Sequence, residues 1–214
     1  MVAHVYDLAQ LIHQQQLAPV TIIGHSLGGN IAIRYAGIYP EKVARLVAIE
    51  GLGPSPKLHA EQAGKTIEQR MQAWIADQRA LSGRQPRRYH SVDEALTRMQ
   101  EENRHLTPEQ ARHLTIHGIS QNEDGSYSWK FDNYVRSISP VEMTVDERHR
   151  LWGRISCPTL LAYGAESWTS NPAEDGRLAH FSNARVALFE GAGHWVHHDV
   201  LDAFLGEVRA FLGL

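Results

Sequence analysis

Ser26 is the residue whose surroundings suggest chemistry first. It stands in Gly24-His25-Ser26-Leu27-Gly28, a G-x-S-x-G string between the β-branched run VTII and the helical segment NIAIRYAGIYP. A serine hydroxyl becomes a useful nucleophile when a base takes its proton and donors hold the charge that forms on the substrate. A strand–turn–helix junction serves both needs. The turn strains the backbone at Ser26, so its neighbours two positions away must be small, and both are Gly. The helix points its N-terminus at the serine and offers the Leu27 N–H to a developing oxyanion. His25, inside the turn, is expected to orient the loop by hydrogen bonding and to border the substrate.

His194 is the candidate base. It lies in the Gly-rich string GAGHWVHHD after the last strand-like run, where an imidazole can reach Ser26 and relay its proton. His197 and His198 extend it to H-x-x-H-H, but no second ligand cluster accompanies them, so neither a metal nor another cofactor is expected. The chain order Ser, acid, His admits two glutamates. Glu50 closes the run RLVAIE, and Glu166 follows TLLAYG. Trp168 and Trp195 adjoin these loops and are candidate pocket residues.

The elements that must carry these groups follow an α/β rhythm. Val5, Leu8, Leu11 and Ile12 share a helical face in the first segment. VTIIG, the helix ending at Pro40, and RLVAIE then form a parallel βαβ unit. TLLAYG (159–164), a helical region after Pro172, the strand ARVALFEG and the amphipathic VLDAFLGEVRAFL, with Leu201 and Phe204 on its buried face, complete the pattern. The expected fold is a mostly parallel sheet of about four strands. Residues 1–53 and 153–214 form its core, and 54–152 are an inserted helical cap or lid. Helical patterns run over 59–82, 91–103 and 108–118, and QNEDGSYSWKFDNY reads as loop.

Composition narrows the partners. The chain has 214 residues with 43% hydrophobic, 21% charged and a net charge of −3, which excludes disorder. No basic arm or run of like charge points to nucleic acid. No stretch is apolar enough for a membrane span, and no signal peptide is evident. The lone Cys157 precludes an internal disulfide, reads as a packing residue and suits a reducing, cytoplasmic setting.

With these residues in view, VTIIGHSLGG resembles the nucleophile strand and elbow of the α/β-hydrolase superfamily, and GAGHWVHHD resembles its histidine loop. The likeness runs over essentially the whole chain, including the place of the insertion between RLVAIE and TLLAYG. NRHLTPEQARHLTIHG is similar to the caps of serine hydrolase-like members. The resemblance implies an acid three residues after the Gly that ends TLLAYG, which here is Ser167, with Glu166 one residue early. Members similar to haloalkane dehalogenases and serine hydrolase-like proteins carry the acid at the place of Glu50, which favours Glu50 and keeps Glu166 as the alternative.

The implied activity is hydrolysis of a carboxylic ester or related small acyl substrate through an acyl-enzyme. A serine nucleophile argues against dehalogenase and epoxide-hydrolase chemistry. Because a triad does not name the bond cleaved, a serine-dependent C–C hydrolase or perhydrolase is an alternative. Superfamily members place four strands and an oxyanion loop ahead of the nucleophile strand, whereas about 19 residues precede it here. The expectation is therefore a truncated form or a start placed too far downstream. Weak activity or a binding and scaffold role would follow, with VTIIG an unpaired edge that drives homodimerisation.

Overall fold

A computed structural model gives the structure of the chain. It describes every residue except Asn133, Val135, Arg136 and Ile138, and the side chains of Gln62 and Ala63. Two compact units result, one of Met1–Gly64 with Glu142–Leu214 and the other of Lys65–Val141.

The first unit is built on a sheet of four parallel strands in the order β1 (Val20–His25), β2 (Val43–Ile49), β5 (Thr159–Gly164), β6 (Ala184–Phe189). β2 and β5 are covered on both faces, which is why RLVAI and TLLAYG are near-continuous apolar runs. The pleat divides their side chains. Leu46, Ala48, Leu161 and Tyr163 pack with Ala32, Ile33 and Tyr35 of α2 (Leu27–Ile38), Ile12 of α1 (Val2–Gln14) and Trp152 of α7 (Val145–Gly153). Val47, Ile49, Leu160 and Ala162 pack with Phe189, with Val196 of α8 (Val196–Asp199), and with Phe204 and Val208 of α9 (Leu201–Leu212). Each Leu, Ile or Val buried this way stabilises the fold by about 1.5–3 kcal/mol. Cys157 is a buried free thiol in the first cluster. Among the described residues β1 pairs with β2 on one side and lies at the end of the strand order, and Ile23 on it is 50% exposed. α3 (Pro56–Ala63) also belongs to this unit.

The second unit contains α4 (Ile67–Ser82), α5 (Val92–Glu102), α6 (Pro108–Gly118) and a two-stranded antiparallel sheet of β3 (Ile119–Gln121) and β4 (Tyr127–Trp129). Ser91 caps α5, and Thr66 and Thr107 form capping boxes with Gln69 and Gln110. Among the described residues, no helix of either unit is long and apolar enough to cross a membrane.

Four local readings need correction. The stretch expected as loop contains the β3–β4 hairpin, with Asp124-Gly125 in its turn and Gly125 at φ +82°; Asn133 of that stretch lies outside the described residues. The helical pattern over 59–82 is two helices, because the Thr66 cap starts a new one. After Pro172 the chain forms turns and one 3₁₀ turn (Arg177–His180), since Arg177 folds back onto Asp175 and Ser170. Leu11 and Leu201 are exposed although their helices are amphipathic as expected.

Candidate active site

Ser26 sits between the last residue of β1 and the first of α2 with φ 52° and ψ −114°. Its N–H donates to the Ile49 carbonyl at 2.7 Å, which pins the turn to the end of β2. A serine at a helix N-cap normally accepts from the first-turn amides. Ser26 makes no such side-chain bond, so its hydroxyl is not committed to the helix. Leu27 is the first helical residue, and its N–H has no acceptor within the helix.

Close packing makes this turn possible, but not through both expected glycines. A Cβ on Gly24 would stand 2.6 Å from the Gly28 backbone, and one on Gly29 would stand 2.8 Å from the Gly51 Cα and 2.9 Å from the Gly24 carbonyl. A Cβ on Gly28 would meet nothing within 4 Å. The steric demand falls on Gly24 and Gly29, and the expectation that Gly28 must be small is overturned.

Glu50 follows β2 with φ 53°, a left-handed conformation rare outside glycine. Its N–H donates to the Ala162 carbonyl at 2.9 Å, and its side chain has no solvent exposure. The carboxylate accepts from the Gly164 N–H on Oε1 at 2.8 Å. On Oε2 it accepts from Ser167 Oγ at 2.6 Å, Thr169 Oγ1 at 2.5 Å and His194 Nδ1 at 2.9 Å. Burial works to raise its pKa, but the bonds from His194, Ser167, Thr169 and Gly164 outweigh it and hold Glu50 below the ordinary carboxylate value. The carboxylate is therefore ionised and can only accept, so the proton between the two groups belongs to His194 Nδ1.

His194 leaves the turn after β6, where Gly193 donates its N–H to Asp199 Oδ2 at 2.9 Å. His25 Nε2 donates to the His194 carbonyl at 2.8 Å. Burial chiefly depresses the His25 pKa, with the bond to His194 working against that. The His197 ring lies 4.7 Å from that of His25, tilted by 56°, and its pKa is lowered to about 4, mainly by burial and then by the neighbouring His198, His25 and His194. Among the described residues, no group of three His, Cys, Asp or Glu is arranged to hold a metal ion.

Of the remaining sequence candidates, Trp168 lies with its ring 5.0 Å from that of His194 and is 75% exposed. It lines a cleft of about 520 Å³ with Ser55, Pro56, Leu58, Thr169 and Ser170. Trp195 is not part of that cleft and packs 5.6 Å from His198. Glu166 follows β5, and its N–H donates to the Ala192 carbonyl at 2.9 Å. The sequence reading did not single out Thr169 or Arg177, and it noted Ser167 only as the place where an acid was absent. Arg177 is buried, bonds Asp175 through Nε at 2.9 and 3.0 Å, and reaches the Ser170 and Gly53 carbonyls. A serine and a threonine two apart, next to a candidate acid loop, were the only available signal.

Comparison with known proteins bears on the fold and the family. Residues 1–200 match the model of the alpha/beta hydrolase fold family. The chain is 26% identical to the esterase YbfF of Escherichia coli (strain K12), covering 96% of this chain and 72% of that protein. It is 27% identical to the sn-1-specific diacylglycerol lipase ABHD11 of Mus musculus, covering 96% of this chain and 63% of the lipase. The hypothetical protein PA1622 from Pseudomonas aeruginosa PAO1 has the same fold, with a TM-score of 0.79 at 21% identity over 98% of this chain and 73% of that one. A parallel sheet that ends in a strained serine turn, and a family match over nearly the full length, lead to one conclusion: the chain belongs to the alpha/beta hydrolase fold family.

Proposed function

We propose that this chain is a serine hydrolase that cleaves carboxylic esters or related acyl compounds through Ser26, His194 and Glu50. The observation that carries the reading is the 2.9 Å bond between His194 Nδ1 and an ionised Glu50 with a fully buried side chain. With its Nδ1 proton held by Glu50, His194 has Nε2 as the base. Nε2 takes the Ser26 proton as Oγ attacks the acyl carbon, and the Leu27 N–H at the helix N-terminus receives the oxyanion. The imidazolium then protonates the leaving alcohol, and an acyl-enzyme remains. Water repeats the sequence in reverse roles and releases the acid.

Trp168, whose ring lies 5.0 Å from that of His194, and Thr169, which bonds Glu50, both line the cleft described above, so it adjoins the proposed triad. The names of the relatives, an esterase and a diacylglycerol lipase, support an ester bond. The same reading includes self-association of the 214-residue chain through β1.

An active-site phosphonate should label Ser26 alone, and Ser26→Ala should abolish the adduct. Mapping of the adduct to another residue would remove Ser26 as nucleophile. No adduct on folded protein would favour a binding role without turnover.

A further inference from the structure

The loop Gly164-Ala165-Glu166-Ser167-Trp168-Thr169-Ser170 is held more firmly than its glycine and small residues suggest. The Ala165 and Glu166 amides donate to the Phe189 and Ala192 carbonyls, both at 2.9 Å, and Ser167 N–H closes a turn onto Gly164 at 3.2 Å. Farther along, the buried Arg177 grips Asp175 and the Ser170 carbonyl, the latter at 2.7 Å. Two hydroxyls on this fixed loop meet one oxygen of Glu50. Ser167 Oγ also accepts the Thr169 N–H at 3.2 Å and lies 3.2 Å from Thr169 Oγ1, and its own proton goes to the nearer Glu50 Oε2 at 2.6 Å. Oε2 then receives three donors, from Ser167, Thr169 and His194.

We infer that Ser167 and Thr169 are positioning residues for the proposed hydrolysis: their hydroxyls fix the Glu50 carboxylate against His194 and set the pH at which that pair becomes competent. The inference rests on the serine-hydrolase reading above. Its physical basis is a competition for one oxygen. Hydrogen bonds to a carboxylate drain its charge, so each hydroxyl keeps the buried Glu50 ionised and at the same time tempers its pull on the imidazolium. Removing the hydroxyls leaves more charge for His194 alone, which favours the protonated imidazole. The acid limb of the rate profile, a property of the Glu50–His194 pair, then moves to higher pH.

The other charged or titratable groups near the pair do not supply this effect. Tyr163 of β5 is pushed up to about 12 by burial and stays neutral. His25 and His197 are both depressed by burial. Asp175 and Arg177 pair with each other, and Asp199 holds the Gly193 amide. His198 packs on Trp195 and His197.

The test compares Ser167→Ala/Thr169→Val with the parent and with Thr169→Ser, which keeps the hydroxyl. The pH dependence of kcat/KM is measured on a nitrophenyl ester, and the low-field Nδ1 proton of His194 is followed by NMR without substrate. The double variant should shift the acid limb up by about 1 pH unit, the size of one substantial hydrogen-bond change. Thr169→Ser should keep the parent's acid-limb position and Nδ1 resonance. A folded double variant with an unmoved limb and an unmoved Nδ1 resonance would overturn the inference, as would Thr169→Ser behaving like the single variant Thr169→Val. Should the double variant not fold, that comparison of Thr169→Ser with Thr169→Val decides. Failure of the hydrolase reading itself has a different signature, namely activity that persists in Ser26→Ala.

Discussion

Ser26 and Glu50 both hold positive φ, 52° and 53°, at the ends of adjacent strands. Such conformations cost about 1–3 kcal/mol each and persist only when the surroundings over-determine them. Here the amides of the two strained residues continue the sheet ladder, Ser26 to Ile49 and Glu50 to Ala162. At this strand end the Glu50 carboxylate meets His194 and the two hydroxyls. Replacement of Glu50 by Gln should keep the shape but put an amide where only an acceptor serves, and turnover of a nitrophenyl ester should drop by about 10⁴. Glu166→Gln should stay near the parent rate. The reverse ranking would move the acid to Glu166.

The turn between β1 and α2 depends on two backbones approaching closely. Gly29 lies against Gly51 and Gly24 with no room for a methyl group, while Gly28 faces open space. The neighbours of Gly29 are backbone atoms, which yield little. Gly29→Ala should therefore cost about 1–3 kcal/mol of stability, in the range of core overpacking. Thermal unfolding should show a loss of roughly 2–4 °C per kcal/mol for a chain of this size. Gly28→Ala should melt at or slightly above the parent temperature, because alanine favours a helix over glycine by up to about 1 kcal/mol. Equal melting temperatures for the two variants would show that the backbone shifts freely and that the close approach is not a constraint.

At the outer edge of the sheet, β1 carries an apolar sequence with no charge, proline or central bulge to protect it, and Ile23 on it is half exposed. Leu27, at the start of the next helix, and Tyr6 and Leu11 of α1 add exposed apolar surface. An unpaired apolar edge is a template for strand pairing. In the proposed self-association, two copies of β1 would join antiparallel across a two-fold axis. Light scattering across a dilution series should show the 214-residue chain associating, with ester hydrolysis falling as it dissociates. A folded, fully active monomer at low micromolar concentration would reject the dimer.

The sequence by itself determined the α/β class, the four parallel strands and the placement of Ser26 at a strand–turn–helix junction. These rest on local periodicity and on a turn whose steric needs are written in adjacent residues. It also left two glutamates as candidates for the proposed acid, and chain order could do no more, because both follow a strand end. Tertiary structure decided which carboxylate meets His194, since that depends on the register of β2 against β5 and on the φ of a single residue. It likewise decided that Gly29 rather than Gly28 bears the packing, because the constraint comes from Gly51, 22 positions away in the chain. The hydroxyls of Ser167 and Thr169 were visible as letters but silent as chemistry. Only the loop after β5, fixed by Arg177 and by the carbonyls of Phe189 and Ala192, brings them onto the same carboxylate oxygen as the imidazole.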